Sequence, residues 1–492
     1  MSWTPQMGLA LLIVIPLCGS AGVLAFSRWP NAREAASALA GVALVVNVGA
    51  LVMAVDGGAR PELTLMTVAG GIALNFTLEP LGAAFAALAS FLWLVNSIYS
   101  IGYMRGNKAK NQTRFYLFFT IAIAAAMGVA ASGNMFTLFV FYEALTLSTY
   151  PLVTHNGDAA ARRGGRIYLT ILMGTSIGLF LPAIIATQVL AGTTAFAPGG
   201  ILAGSVTPAL ASVLLILYAF GISKAALMPV QDWLPNAMVA PTPVSAFLHA
   251  VAVVKAGVFT MLKMSVYIFG LDFMRTVPAS HWLAWVAAIS IVLASLIALG
   301  KDNLKARLAW STVSQLSYIT MGAMIATPLA AMGAALHIIM HAFGKMTLFM
   351  CAGAIYTARH ITTVSGVRGL GKSMPLVFIA FFIAALSIIG LPPLAGVWSK
   401  LLLMMGSTDP ANRVFIGALI ISSLLNVAYL MPVPLKAFFA KLPDGDKPDL
   451  PPPPRLTVWP PVLTAAGTII LFFAIGPILD FLRPVFENGG MP

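Results

Sequence analysis

The chain has 492 residues, of which 59% are hydrophobic and 9% charged, with a formal net charge of +13 at pH 7. A soluble globule carries about 25% charged residues, so this composition excludes a cytoplasmic enzyme, a secreted scaffold and a disordered protein. The mean hydropathy of +0.93 is that of an integral membrane protein, and Cys18 and Cys351, both in apolar runs, exclude a disulfide framework and a thiolate metal site.

Apolar runs long enough to cross about 30 Å of hydrocarbon recur along the whole chain. In chain order they cover 7–26, 36–55, 80–104, 115–132, 134–154, 167–192, 207–230, 241–268, 281–300, 308–327, 329–357, 374–405, 413–435 and 456–479, which predicts an all-α polytopic membrane protein of about 14 transmembrane helices. The first run lacks the positive segment of a signal peptide and is read as a span. The whole of 1–492 reads as one membrane domain, with a Pro-rich strap at 436–455 ahead of the last span.

The basic residues sort by side. Of 28 Lys and Arg, 19 fall in the connections after odd-numbered spans, whereas the opposite side has only Arg60, Arg275, Arg413 and Arg483. By the positive-inside rule the odd connections are cytoplasmic and both termini lie outside. The positive charge is therefore topology, and no nucleic-acid partner is implied.

Five lysines remain inside spans: Lys224, Lys255, Lys263, Lys345 and Lys400. A charge at the centre of a membrane helix costs about 2.5 to 3.5 kcal/mol on insertion scales, which marks such residues as functional candidates. Lys263 falls near a helix end, where its stem can snorkel, and reads as structural. The only acidic residue read as deep in a span is Glu143. One carboxylate cannot offset four lysines, so the set reads as groups that exchange protons, with Glu143 and Lys224 as a switching pair. His337, His341 and Lys345 follow at i, i+4 and i+8 and line one helix face like a wire. Haem ligation by these histidines requires a facing ligand, and only His249 is available; no cofactor or metal is expected. His249 and Lys255, six residues apart, point to different neighbours.

Two spans are interrupted. Span seven carries Gly221-Ile222-Ser223-Lys224 followed by Pro229, and span twelve carries Gly390-Leu391-Pro392-Pro393 followed by Ser399-Lys400. Broken helices in corresponding positions point to an inverted repeat. Spans 4–8 (115–268) and 9–13 (281–435) supply two five-helix units of opposite orientation.

These residues resemble the proton-translocating antiporter family shared by respiratory complex I (its L, M and N subunits), membrane-bound hydrogenases and Mrp-type multisubunit cation/proton antiporters. The resemblance rests on Phe141-Tyr142-Glu143, on Lys224-Ala225-Ala226 with Pro229 and Asp232-Trp233-Leu234-Pro235, on Ala240 to Ala246 leading to His249 and Lys255, on Leu308 to Gln315, and on Gly390-Leu391-Pro392-Pro393 leading to Lys400. It implies that Glu143 modulates Lys224, that Lys255 relays protons and that Lys400 ends the outer half-channel. Lys400, the subunit size and the short strap are most similar to the D-type Mrp subunit, with the N-type subunit of complex I the nearest rival. The implied function is proton translocation within a multisubunit Na⁺/H⁺ antiporter, with other membrane subunits and the bilayer as partners. A proton-pumping subunit of an NADH-quinone oxidoreductase or hydrogenase complex, and a passive scaffold of a redox complex, are the alternatives.

Overall fold

The computed structural model describes residues 3–69, 72–441 and 452–487; the side chains of residues 69, 249 and 250 lie outside that description. Seven of the long helices start with proline in their first turn, where no backbone N–H is needed and the fixed φ suits the helix. They are α1 (Pro5–Ala25), α2 (Pro30–Asp56), α3 (Pro80–Gly106), α7 (Pro208–Gly221), α9 (Pro278–Gly300), α11 (Pro328–Arg359) and the first half of α12 (Pro375–Ile389). The remaining spans are α4 (Gln112–Ala130), α5 (Met135–Val153), α6 (Ala159–Ala191), α8 (Thr242–Phe269), α10 (Leu304–Ile325), the second half of α12 (Gly396–Met405), α13 (Arg413–Phe439) and α14 (Arg455–Phe473), and α15 (Ile475–Glu487) follows.

Among the described residues eleven helices are long and apolar enough to cross a membrane, and α7, α10 and the two-piece α12 complete the fourteen spans read from the sequence. α10 is the most polar of them because Ser311, Thr312, Ser314, Gln315 and Ser317 are all turned inward and buried. The apolar window of α8 is wholly buried, and the largely buried α11 packs on α3, α8, α10, α12 and α14. These two form the axis on which the candidate site is built.

The all-α membrane class read from the sequence holds, and the structure adds one hairpin and corrects several bounds. β1 (Glu62–Ala69) and β2 (Ile72–Thr77) form an antiparallel hairpin in the register Glu62↔Thr77. Phe76 bridges to Ser132, tying the hairpin to the α4–α5 connection. Leu63 and Leu65, alternating with Glu62 and Thr64, carried the strand signal. α6 starts at Ala159 rather than 167, capped by Asp158 accepting from the Ala161 N–H, so Arg162, Arg163 and Arg166 are helical. α8 is broken as well, into Thr242–Ala250 and Val253–Met264, with no Gly or Pro to announce it. Residues 436–439 of the expected strap belong to α13, and half of the strap, residues 442–451, lies outside the described residues.

Candidate functional site

Lys224 lies in a 3-10 turn, Ser223–Ala225, where α7 gives out. Its Nζ donates to the Tyr142 carbonyl at 2.9 Å and to Thr146 Oγ1 at 2.6 Å, and stands 3.1 Å from the centroid of the Tyr142 ring. Two oxygens and a π face replace the hydration shell of a fully buried ammonium. Tyr142 also accepts the Lys224 backbone N–H at 3.1 Å, which fixes the turn on α5. Glu143, the neighbour of Tyr142, forms no direct ion pair with Lys224 among the described residues, and neither of its buried carboxylate oxygens accepts a hydrogen bond there. The pair expected from the sequence is thus resolved into two adjacent groups, a solvated lysine and an unpartnered carboxylate.

The break in α8 places Lys255 in the first turn of its second half. A Cβ on Gly257 would stand 2.2 Å from the Lys224 carbonyl carbon, so glycine is what allows α8 to lie directly on the turn holding Lys224. Lys255 Nζ meets His341 Nδ1 of α11 at 2.7 Å. The His341 and His337 rings stack at 5.7 Å, and His337 stacks in turn on Tyr318 of α10 at 5.2 Å. His337 Nδ1 lies 2.9 Å from Ser399 Oγ, beside Lys400 in α12. Lys345, the third group of the stripe, donates to Ser311 Oγ at 2.5 Å and to the Leu308 carbonyl at 3.3 Å.

Lys400 sits in the second half of α12 and reaches back across the break, donating to the Ile389 carbonyl at 2.8 Å and to Ser423 Oγ of α13 at 2.9 Å. The Ile389 carbonyl is available because the helix ends there, at Gly390 with φ +93°, followed by Pro392 and Pro393, which supply no N–H. The two Ser-Lys pairs differ in place: Lys224 lies inside its break, ahead of Pro229, whereas Lys400 lies beyond its own. The His249 side chain lies outside the described residues, although its backbone is helical in Thr242–Ala250.

Lys263 does not snorkel. It is buried, ion-paired with Glu79 at 2.8 Å and bonded to the Ser132 carbonyl at 2.9 Å. Glu34 is likewise buried and holds Arg105. Sequence reasoning also passed over Tyr142, Thr146, Ser311, Tyr318, Ser399 and Ser423. For Thr146 and Ser399 the signal was a hydroxyl one turn from Glu143 and next to Lys400, whereas Ser311, Tyr318 and Ser423 have no recognised charge near them in sequence.

The profile of the family described as NADH:quinone oxidoreductase/Mrp antiporter, TM, matches residues 132–426, which include Glu143 and the four lysines Lys224, Lys255, Lys345 and Lys400. The chain belongs to this family. It is 31% identical over 413 residues to the NADH-quinone oxidoreductase subunit N of Desulforudis audaxviator, covering 82% of this chain and 81% of that one. It is 31% identical over 410 residues to a Rhizobium meliloti protein, the A/B subunit of a probable K(+)/H(+) antiporter, covering 80% of this chain but 39% of that longer one. Among solved structures, a chain of the Mrp complex from a Dietzia species superposes with a TM-score of 0.88 at 20% identity, over 100% of this chain and 98% of that one. A chain of the archaeal membrane-bound sulfane sulfur reductase superposes with a TM-score of 0.86 at 22% identity, over 99% and 98%. At these identities the superpositions establish the fold of this antiporter-family chain. Membership of the family fits a multi-pass membrane protein.

Proposed function

We propose that this chain is the proton-translocating subunit of a multisubunit monovalent cation (Na⁺)/H⁺ antiporter in the cell inner membrane, with other membrane subunits as partners and both termini outside. The observation that carries the reading is the 2.7 Å contact between Lys255 and His341, because it joins the two five-helix units, 115–268 and 281–435, through a pair of titratable side chains. Protons load Lys224 under the control of Glu143, pass to Lys255, cross to His341 and move by way of His337 and Lys345 to Lys400, the outlet. His249, on the first half of α8, belongs to the same relay. The unwound segments at Pro229 and at Gly390, Pro392 and Pro393 supply the polar backbone that admits water at that depth.

Lys400 and the histidine stripe favour the Mrp-type role, and the Rhizobium relative, described as belonging to a probable K(+)/H(+) antiporter, is in keeping with it. The N-type role in an NADH-quinone oxidoreductase draws on the relative described as subunit N. Inverted vesicles carrying the complete complex separate the two by acridine-dye fluorescence. The proposal expects dequenching on addition of Na⁺ or K⁺ that Lys224→Ala and Lys400→Leu abolish. Quenching driven by NADH without any response to either cation would replace it by the redox-linked role.

A further inference from the structure

A second set of buried polar groups runs beside the histidines. Ser311 Oγ, which accepts from Lys345, lies 2.7 Å from the Tyr429 hydroxyl of α13. Tyr429 donates to Asn426 Oδ1, and at the far end Ser423 Oγ accepts from Lys400 at 2.9 Å. Ser423, Asn426 and Tyr429 follow at i, i+3 and i+6 of α13, neighbours in pairs that turn about 60° per step, and they lead from Lys400 toward Ser311, the partner of Lys345. The one unbridged step is the helical turn between Asn426 and Ser423, a rise of about 4.5 Å.

Gln315 borders that step. It follows Ser311 by one turn on α10, and its side chain flanks the Tyr318 phenol together with those of Ser422 and Ser423. It is fully buried, and neither atom of its amide has a hydrogen-bond partner among the described residues. A buried polar group left unmatched costs about 1 to 3 kcal/mol, and an internal water with two to four polar neighbours removes that cost.

We infer that Lys345 and Lys400 are joined by a hydroxyl track, Ser311, Tyr429 and Ser423 with one water held by Gln315, which works in parallel with His341, His337 and Ser399. In one passage the Lys345 ammonium gives a proton to Ser311 and becomes a neutral amine. Ser311 releases its own proton to Tyr429, Tyr429 turns from Asn426 to give its proton to the water, the water gives one to Ser423, and Ser423 protonates the neutral amine of Lys400. Each oxygen gains one proton and loses one. Asn426 and Gln315 are positioning residues: they orient the tyrosine hydroxyl and the water and exchange no proton themselves.

The inference rests on the relay reading above, and the test keeps the two apart. Parallel tracks carry additive fluxes, so His337→Leu and Tyr429→Phe should each keep about half the proton flux per assembled complex, and the double variant should fall below about a tenth, well under the product of the singles. A structural role of the Tyr429 hydroxyl would instead lower assembly and leave the flux per complex multiplicative. Ser423→Ala replaces Tyr429→Phe should that double variant fail to assemble, with the same expectation. A double variant equal to the product of its singles, or to His337→Leu alone, overturns the track. Lys400→Leu is measured alongside: if inactive, the relay stands and the double variant decides the track, and if active, both fall.

Discussion

Gly390 lies against the stem of Lys400: a Cβ built on Gly390 would stand 2.8 Å from Lys400 Cδ, on a backbone whose φ is +93°. The glycine therefore does two things, ending the first half of α12 in a conformation that L side chains resist and leaving a slot through which the lysine reaches the freed Ile389 carbonyl. Gly390→Ala adds about 1 to 2 kcal/mol of backbone strain and displaces the lysine stem. Proton flux per assembled complex should fall steeply. Lys400→Glu, shorter but still titratable, should keep partial activity, and Lys400→Leu none; dye quenching with assembly checked on native gels reads all three.

On the proposed relay, both tracks begin beyond the contact of Lys255 with His341. Lys255→Met keeps the length and loses the proton, and should cut flux roughly a hundredfold, the scale of removing a positioned acid or base. His341→Leu should do the same. If either assembled variant retained more than half of the wild-type flux, protons would be crossing between the units elsewhere.

Thr146 is expected to matter although its type gives no sign of it. Its hydroxyl is one of two oxygens that hold the Lys224 ammonium, at 2.6 Å. Losing a hydrogen bond to a charged group costs about 1.5 to 3 kcal/mol, so Thr146→Val should favour the neutral amine and slow loading about tenfold or more. Glu143→Ala should abolish flux. Because Glu143 forms no direct ion pair with Lys224, Glu143→Asp should be tolerated better than a contact pair would allow; complete inactivity of the aspartate variant would argue for a contact formed during turnover.

The apolar spans and the four buried lysines Lys224, Lys255, Lys345 and Lys400 were legible because charge inside an apolar run stands out against its background. Glycine and proline likewise announced the interruptions in α7 and α12. The break at Val251 and Ala252 carries neither signal: it follows from tertiary packing, where α8 meets the Lys224 turn through Gly257. Hydroxyl partners such as Ser311 and Tyr429 were not legible for a different reason. Serine and tyrosine in a membrane helix are common and cheap, and only the spatial approach of α10, α11 and α13 distinguishes these from serines that bond their own helix.

Lys263 shows how a buried lysine can be structural in this fold. Its side chain is 1% exposed and that of Glu79 13% exposed, and the pair joins the second half of α8 to the start of α3. The same carboxylate caps α3 by accepting the Gly82 N–H at 2.5 Å, and Lys263 also holds the Ser132 carbonyl where the hairpin is attached. Removing one member of a buried pair strands the other and typically costs about 3 to 5 kcal/mol, whereas replacing both by apolar groups is close to neutral. Glu79→Ala should therefore lower the thermal midpoint of the purified complex sharply. Lys263→Met should be milder, because Glu79 is partly exposed and keeps its cap. The double variant Glu79→Ala and Lys263→Met should recover much of the loss, with flux per assembled complex close to wild type throughout. A double variant as stable as wild type but without flux would move Lys263 from the scaffold into the proton path.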